Sequence, residues 1–185
     1  MMIRNYDELM SSGRISYEVI NELIAPKMLL EIPVYGLSLK NIMMTLDVSI
    51  QLILLNVAAC DGYILKQEIE YIKMFRNYVD IMSASGFSWD LLMTFTGKEL
   101  KKIIEKINNS VFSTSDRIIS EIKEVDPEVL FSFEAEISNI CQCLACIDGD
   151  NSESYDYSKE MSAGMEVFKK LFYTDDSYEN SLFNS

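Results

Sequence analysis

The chain is expected to fold as an all-α bundle of about seven to nine helices, and three features of its sequence lead there. Apolar residues recur at helical spacings of three and four through several long stretches. Glycine (7) and proline (3) are scarce among 185 residues, which leaves little turn chemistry for a many-stranded sheet. Leu, Ile, Met, Glu and Lys dominate, a composition that favours helices. With 49% hydrophobic and 24% charged residues, the chain can build a core and is not a disordered segment. Its length suits one domain, or two small halves sharing one core.

The first element, Tyr6 to Leu30, reads as one helix or a pair of helices broken at Pro26, with Val19, Ile20, Leu23 and Ile24 on its apolar face. Glu31 to Gly36 is a turn. From Leu37 a long apolar helix runs to Cys60. Its stretch from Ile42 is interrupted by Asp47, Gln51 and Asn56, and a membrane span needs about 20 largely apolar residues. It therefore reads as a central helix buried on most sides. Asp61-Gly62 stops it, with glycine where a left-handed residue ends a helix.

Leu65, Ile69, Ile72, Phe75, Val79 and Met82 then form one continuous helical stripe, leaving Lys66, Glu70, Lys73 and Arg76 to water. Gly86 ends this region, and Ser88 caps a short helix holding Trp89 and Leu92. Thr96-Gly-Lys-Glu99 has the spacing of a capping box and opens a helix with Leu100, Ile103, Ile104 and Ile107 inward. Ser115 begins another short helix with Ile118, Ile119 and Ile122. Asp126-Pro127 starts a helix whose stripe is Leu130, Phe133, Ile137, Ile140, Leu144 and Ile147. A polar insert from Asp150 to Ser158 precedes a last helix carrying Met161, Met165, Phe168 and Leu171.

The formal charge is −13, and it is uneven. Residues 1–124 hold 16 acids and 13 bases, a net of −3, whereas residues 125–185 hold 13 acids and 3 bases, a net of −10. An acidic half repels phosphate backbones and anionic lipid, so basic surfaces or cations are the expected partners, not nucleic acid or membrane. The N-terminus, MMIRNYDELMSSGR, has no apolar segment of the secretory kind. Cys141, Cys143 and Cys146 share one helix, where a disulfide framework makes no sense, and without histidine a zinc site is not expected either. The Cys143-Leu-Ala-Cys146 spacing lacks the βαβ setting of a redox motif. These, with Cys60, read as core thiols of a cytoplasmic protein.

Overlaying the two Asp-Gly turns, at Asp61 and Asp148, gives an offset of 148 − 61 = 87. Ile50 then meets Ile137, Ile53 meets Ile140, Val57 meets Leu144, Ala58 meets Ala145, and Gly62 meets Gly149. Two helices with matched apolar faces thus each end at Asp-Gly and lead into another amphipathic helix. A helix–turn–helix unit cannot bury its stripe alone, so two copies packed together are physically sensible. The expected layout is a single helical domain over 1–173. It comprises N-terminal helices to residue 30, repeat one over about 37–84, connecting helices over 87–123 and repeat two over about 126–173. Residues 174–185 read as an acidic tail or linker.

The string Leu55-Asn-Val-Ala-Ala-Cys-Asp-Gly-Tyr-Ile-Leu-Lys-Gln-Glu68 resembles the signature of TerB-like domains, the tellurite-resistance family. The two-copy layout resembles TerB-like regions found ahead of AAA-type ATPase domains in bacteria. The resemblance covers about 35 residues in the first copy and the helix end with Asp148-Gly149 in the second. It implies an all-helical bundle of pseudo-twofold repeats. Leu65 stands where the family often has Ser or Thr, so the forward half of a capping box is missing, and the second loop is about five residues longer.

The resemblance also suggests acids that gather a divalent cation: Asp61 and Glu68 in the first copy, and Asp148, Asp150, Asp156 and Glu160, with Glu153, in the second. Such hard oxygen ligands suit Ca²⁺ or Mg²⁺. Five acids within residues 148–160 repel one another without a cation. The second loop is not an EF-hand, since Glu153 stands at its sixth position and Lys159 at its twelfth. In the first copy a structural role competes: Asp61 shapes the turn, and Glu68 favours the positive end of the next helix.

The expected function is a non-catalytic protein-interaction or regulatory module, acting beside an ATPase or chaperone in a stress-related process. Divalent-cation sensing is the alternative, and a metal-dependent hydrolase a more distant one. Histidine, a phosphate-binding glycine loop and a G-x-S-x-G elbow are all missing from the sequence. Phe87, Trp89, Phe95 and Tyr155 are the aromatic candidates for a contact surface, each also a candidate for the core.

Overall fold

A computed structural model describes residues 5–31, 39–110, 127–147 and 155–172. Among them the regular structure is all helical, without strands. The helices are α1 (Tyr6–Glu31), α2 (Leu39–Ala58), α3 (Lys66–Lys73), α4 (Ile81–Ser85), α5 (Trp89–Leu92), α6 (residues 97–110), α7 (Pro127–Ala145) and α8 (Tyr155–Phe172). The all-α expectation holds. The helix proposed after Ser115, the Asp126 cap, the 148–154 loop and the 174–185 tail lie outside the described residues.

Helix α2 is the axis of the bundle. Ile50, Gln51, Leu52, Ile53, Leu54 and Leu55 are six consecutive residues with no exposure, so every face of the helix is covered there. It lies mainly along α8 and also touches α1, α3, α4 and α7, while α1 lies mainly along α7. No described helix is long and apolar enough to cross a membrane.

Helix α1 starts with a reciprocal cap that was readable in Asn5-Tyr-Asp-Glu8 but not anticipated. Glu8 N–H donates to Asn5 Oδ1 at 2.9 Å, and Asn5 N–H donates to Glu8 Oε2 at 3.2 Å. The helix runs unbroken through Pro26, leaving the Glu22 carbonyl without its usual helical donor. Packing along α7 outweighs that local loss. The buried face is Leu9, Gly13, Ser16, Tyr17 and Ile20, with Leu23 packed against the core; of the expected stripe, Val19 is half-buried and the Ile24 side chain lies outside the described residues.

The continuous helix expected from Leu65 to Met82 is two helices. After Lys73 the chain leaves the helix and re-enters at Ile81. The polar residues that interrupt α2 account for the break. Gln51 Nε2 donates to the carbonyls of Phe75 at 3.3 Å and Val79 at 2.8 Å, while its Oε1 accepts the Ile81 N–H at 3.1 Å. Asp47 Oδ2 accepts the Tyr78 N–H at 2.6 Å, and Asp47 Oδ1 accepts the Tyr17 hydroxyl. Two buried side chains of α2 thus supply bonds that α-helical geometry would otherwise provide. Apolar burial survives the break: Phe75 and Met82 stay in the core although the backbone between them is not helical.

Helix α4 is capped by Asp80, whose side chain accepts the Met82 N–H at 2.9 Å, and closes on Gly86. Ser88 caps α5 as expected, accepting the Leu91 N–H at 3.2 Å. The capping box at Thr96 does not form: neither Thr96 nor Glu99 makes a capping side-chain bond. Gly97 instead enters α6 at φ 52° with its N–H directed elsewhere in the chain. Leu100, Ile104 and Ile107 face the core, as read.

Phe133, Ile137, Ile140 and Leu144 of α7 are buried as their spacing requires. In α8 the buried line is Glu160, Gly164, Phe168 and Leu171, with Val167 and Phe172 beside it and Met161 and Met165 at its edges. Gly164 lets α8 come close: a Cβ there would lie 2.5 Å from Val57 Cγ2 and 3.2 Å from Cys141 Sγ. Phe133, Phe168 and Phe172 pack as one aromatic cluster. Tyr71 ties three helices together, lying over Gly13 of α1 and donating its hydroxyl to the Ile140 carbonyl of α7 at 3.0 Å.

The 87-residue overlay is matched in burial up to the two turns. Ile50 and Ile137, Ile53 and Ile140, Val57 and Leu144, and Ala58 and Ala145 are all core pairs. Beyond the turns the halves diverge, because α3 stops after 8 residues whereas α8 runs for 18.

Candidate functional site: a lysine-lined cleft at the first Asp-Gly turn

Helix α2 unwinds through Ala59 and Cys60, with Cys60 N–H on the Val57 carbonyl and Gly62 N–H on the Ala59 carbonyl, both at 3.2 Å. Gly62 sits at φ 99°, a conformation that a Cβ would penalise. Asp61 Oδ1 accepts the Tyr63 N–H at 3.1 Å, so Asp61 shapes the turn as an Asx residue does. The Gly62 carbonyl then accepts the Gly97 N–H at 2.6 Å, which joins the end of α2 directly to the start of α6.

A second tie lies one turn back. Asn56 Nδ2 donates to Asn108 Oδ1 at 2.9 Å, and Asn108 Nδ2 returns a bond to Asn56 Oδ1 at 3.0 Å. With α2 and α6 fixed at two points, and α8 held against α2 at Gly164, the three elements enclose a cleft of about 810 Å³. Lys98 and Lys101 come from α6, one turn apart on one face. Ser158, Lys159, Ser162 and Glu166 come from α8. Ala59, Ala163 and Ile104 supply apolar lining, and Asp61 and Cys60 come from the turn.

Among the described residues, three lysines against two carboxylates make this lining net positive in a chain of charge −13. All three lysines are exposed, and none forms an ion pair with a described carboxylate.

The acids singled out from the sequence are dispersed in role. Asp61 lines the cleft. Glu68 is buried (6% exposed) and makes the backward half of a capping box, its Oε2 accepting the Leu65 N–H at 2.6 Å. Leucine carries no acceptor, so no forward half exists. Glu160 is buried in α8 at 3% exposure. Asp156 lies on α8, with its side chain outside the described residues, as are Asp148, Asp150 and Glu153 altogether. Among the described residues, no three His, Cys, Asp or Glu side chains gather as a metal-holding group.

Of the aromatic candidates, Trp89 belongs to the core at 7% exposure, and its Nε1 donates to both Asp80 oxygens, at 3.0 and 3.1 Å. Phe87 and Phe95 are half-buried against the core, and Tyr155's side chain is outside the description. The exposed large apolar residues are instead Phe131 (76%), Ile15, Tyr78, Tyr63, Leu91 and Met93. The four cysteines are free thiols. Burial, with a smaller contribution from Cys143, pushes the Cys141 thiol up to about 12.

Compared with protein-family models, curated proteins and solved structures, the chain matches none.

The lysine cleft was missed at the level of sequence. Lys98 and Lys101 sit three apart, which marks a shared helix face, but Lys159 joins them only through the α8 packing. The apolar positions of α6 were legible; that its lysines line a cleft shared with residues of α8 was not.

Proposed function

We propose that this chain is a non-catalytic interaction or regulatory module that works through the cleft at the first Asp-Gly turn. The observation that carries the reading is the cleft itself: among the described residues, a net-positive lining with three lysines that form no ion pair, held in an otherwise acidic molecule. Its volume falls within the range of sites that bury a ligand or an anchoring side chain. The end of α2 and α6 are joined by backbone and amide bonds and α8 packs closely on α2 at Gly164, so the site is preorganised, which lowers the ordering cost of binding. The ATPase or chaperone partner suggested by the TerB resemblance belongs to the same proposal.

Site-specific photo-cross-linking tests it. A cross-linker at Ser162, inside the cleft, is expected to capture one discrete partner in cells, and Lys101→Glu is expected to abolish the capture. A cross-linker at Glu18, exposed on α1, is the control. Equal capture from both positions, or none from Ser162, would refute the proposal.

A further inference from the structure

We infer that the cleft between α2, α6 and α8 is a binding site for a small organic phosphate. This inference rests on the reading of the cleft as the working surface and adds the chemistry of its occupant.

Three lysines from two helices line one concavity. These three have no ion-pair partner among the described residues, which leaves their charge available to a ligand. Lysine recognises phosphate as a mobile point charge with three donors, and it needs no fixed bidentate geometry. Ser158 and Ser162 make the facing wall polar, one helical turn apart, with the Ser162 hydroxyl donating to the Ser158 carbonyl at 2.9 Å. Anion attraction here is local, because the global field of the molecule repels anions. A site of this kind therefore selects a ligand small enough to lie within the cleft, where the lysines dominate, over an extended polyanion that must also meet the acidic surface.

The remaining lining argues for an organic body attached to the phosphate. Ile104, Ala59 and Ala163 supply an apolar surface, and about 810 Å³ is far more than one phosphate group needs. Asp61 and Glu166 give the cleft two acceptors on a ligand that also carries hydroxyl or amino groups. Asp61 keeps its second oxygen for this, as its Oδ1 already holds the Tyr63 N–H.

The experiment uses inorganic phosphate and inorganic pyrophosphate as probes, titrated by calorimetry against sodium chloride of matched ionic strength. Alkylation of Cys60, which lines the cleft, is followed in parallel. The expected result is one saturable site in the millimolar range or tighter, stronger for pyrophosphate, with Cys60 alkylation slowed several-fold and Cys146 unaffected. Lys101→Glu and Lys159→Glu should each weaken binding at least about tenfold, Lys101→Gln less, and Lys101→Arg little. Lys66→Glu, which makes the same change in net charge on α3 outside the cleft, should leave binding unchanged.

An absence of saturation, or equal weakening by Lys66→Glu, would overturn the inference. So would binding that survives Lys101→Gln and Lys159→Glu in variants whose melting is unaltered. Partner capture from Ser162 that depends on Lys101 without any phosphate site leaves the interaction reading standing and ends this one; saturable phosphate binding without partner capture does the reverse.

Discussion

Gln51 is the residue whose replacement should most sharply expose how this bundle is specified. It has no solvent exposure, and its amide makes bonds to the loop between α3 and α4 at Phe75, Val79 and Ile81. Gln51→Leu keeps the volume nearly constant and removes every one of these bonds. The Ile81 N–H and the Val79 carbonyl then lose their closest partners, at 3.1 and 2.8 Å. A buried group left without a partner costs about 1–3 kcal/mol, and Val79 is half-buried, so water can rescue part of its share. The expected loss is about 2–4 kcal/mol, a large fraction of the stability of an ordinary domain. Urea unfolding at constant m-value measures it. Hydrogen exchange at the Ile81 amide gives an independent reading, with protection expected to fall in step. A loss below about 1 kcal/mol with Ile81 protection unchanged would refute the argument that α2 side chains hold this loop.

Gly164→Ala is expected to destabilise by about 1–2 kcal/mol, because overpacking against Val57 and Cys141 outweighs the gain in helix propensity; a rise in melting temperature would contradict this. Burial raises the Asp47 carboxyl above its ordinary value of 3.8, outweighing the lowering by hydrogen bonds from Tyr17 and the Tyr78 N–H. A folded pKa above the unfolded one gives stability that is complete below the unfolded value and lost as pH rises through the folded value. Asp47→Asn should therefore gain on the wild-type chain as pH rises from about 4 to 8, by about 1.4 kcal/mol per unit of difference; a wild-type advantage growing with pH would refute it. With its thiol near 12, Cys141 holds only about one thiolate in ten thousand at pH 8, so iodoacetamide should modify Cys60 and Cys146 first and reach Cys141 only on unfolding. Mass spectrometry of the native protein checks this, and early Cys141 labelling would count against the placement of α7.

Helical periodicity identified α6 and α7 and most of their buried residues, because each carries an unbroken stripe facing a neighbour, while α2 was legible as a long apolar run. It failed where the stripe continued and the helix did not. Ile72, Phe75 and Met82 are buried in the order that a single helix would give, yet Asp47 and Gln51, some thirty residues upstream, dictate the backbone between them. Side chains acting across that separation leave no local mark. The Thr96-x-x-Glu99 pattern failed for a related reason: Gly97 is drawn to Gly62, 35 residues away in the chain, and the local cap yields to that bond. Asn5-x-x-Glu8 shows the opposite case, where nothing distant competes and the local cap forms. The cleft depends on α6 and α8 both flanking the end of α2, a relation that periodicity within each helix does not contain.

Greasy helices slide easily, because one aliphatic contact replaces another at little penalty. Helix α2 does not have that freedom, since its glutamine and aspartate are matched atom for atom to one short run of backbone. A shift by a single helical step would strand donors and acceptors on both sides in a dry interior. The polar residues that look like flaws in an oily segment thereby act as an index, admitting one alignment of the central rod and fixing the depth at which its far end opens to solvent.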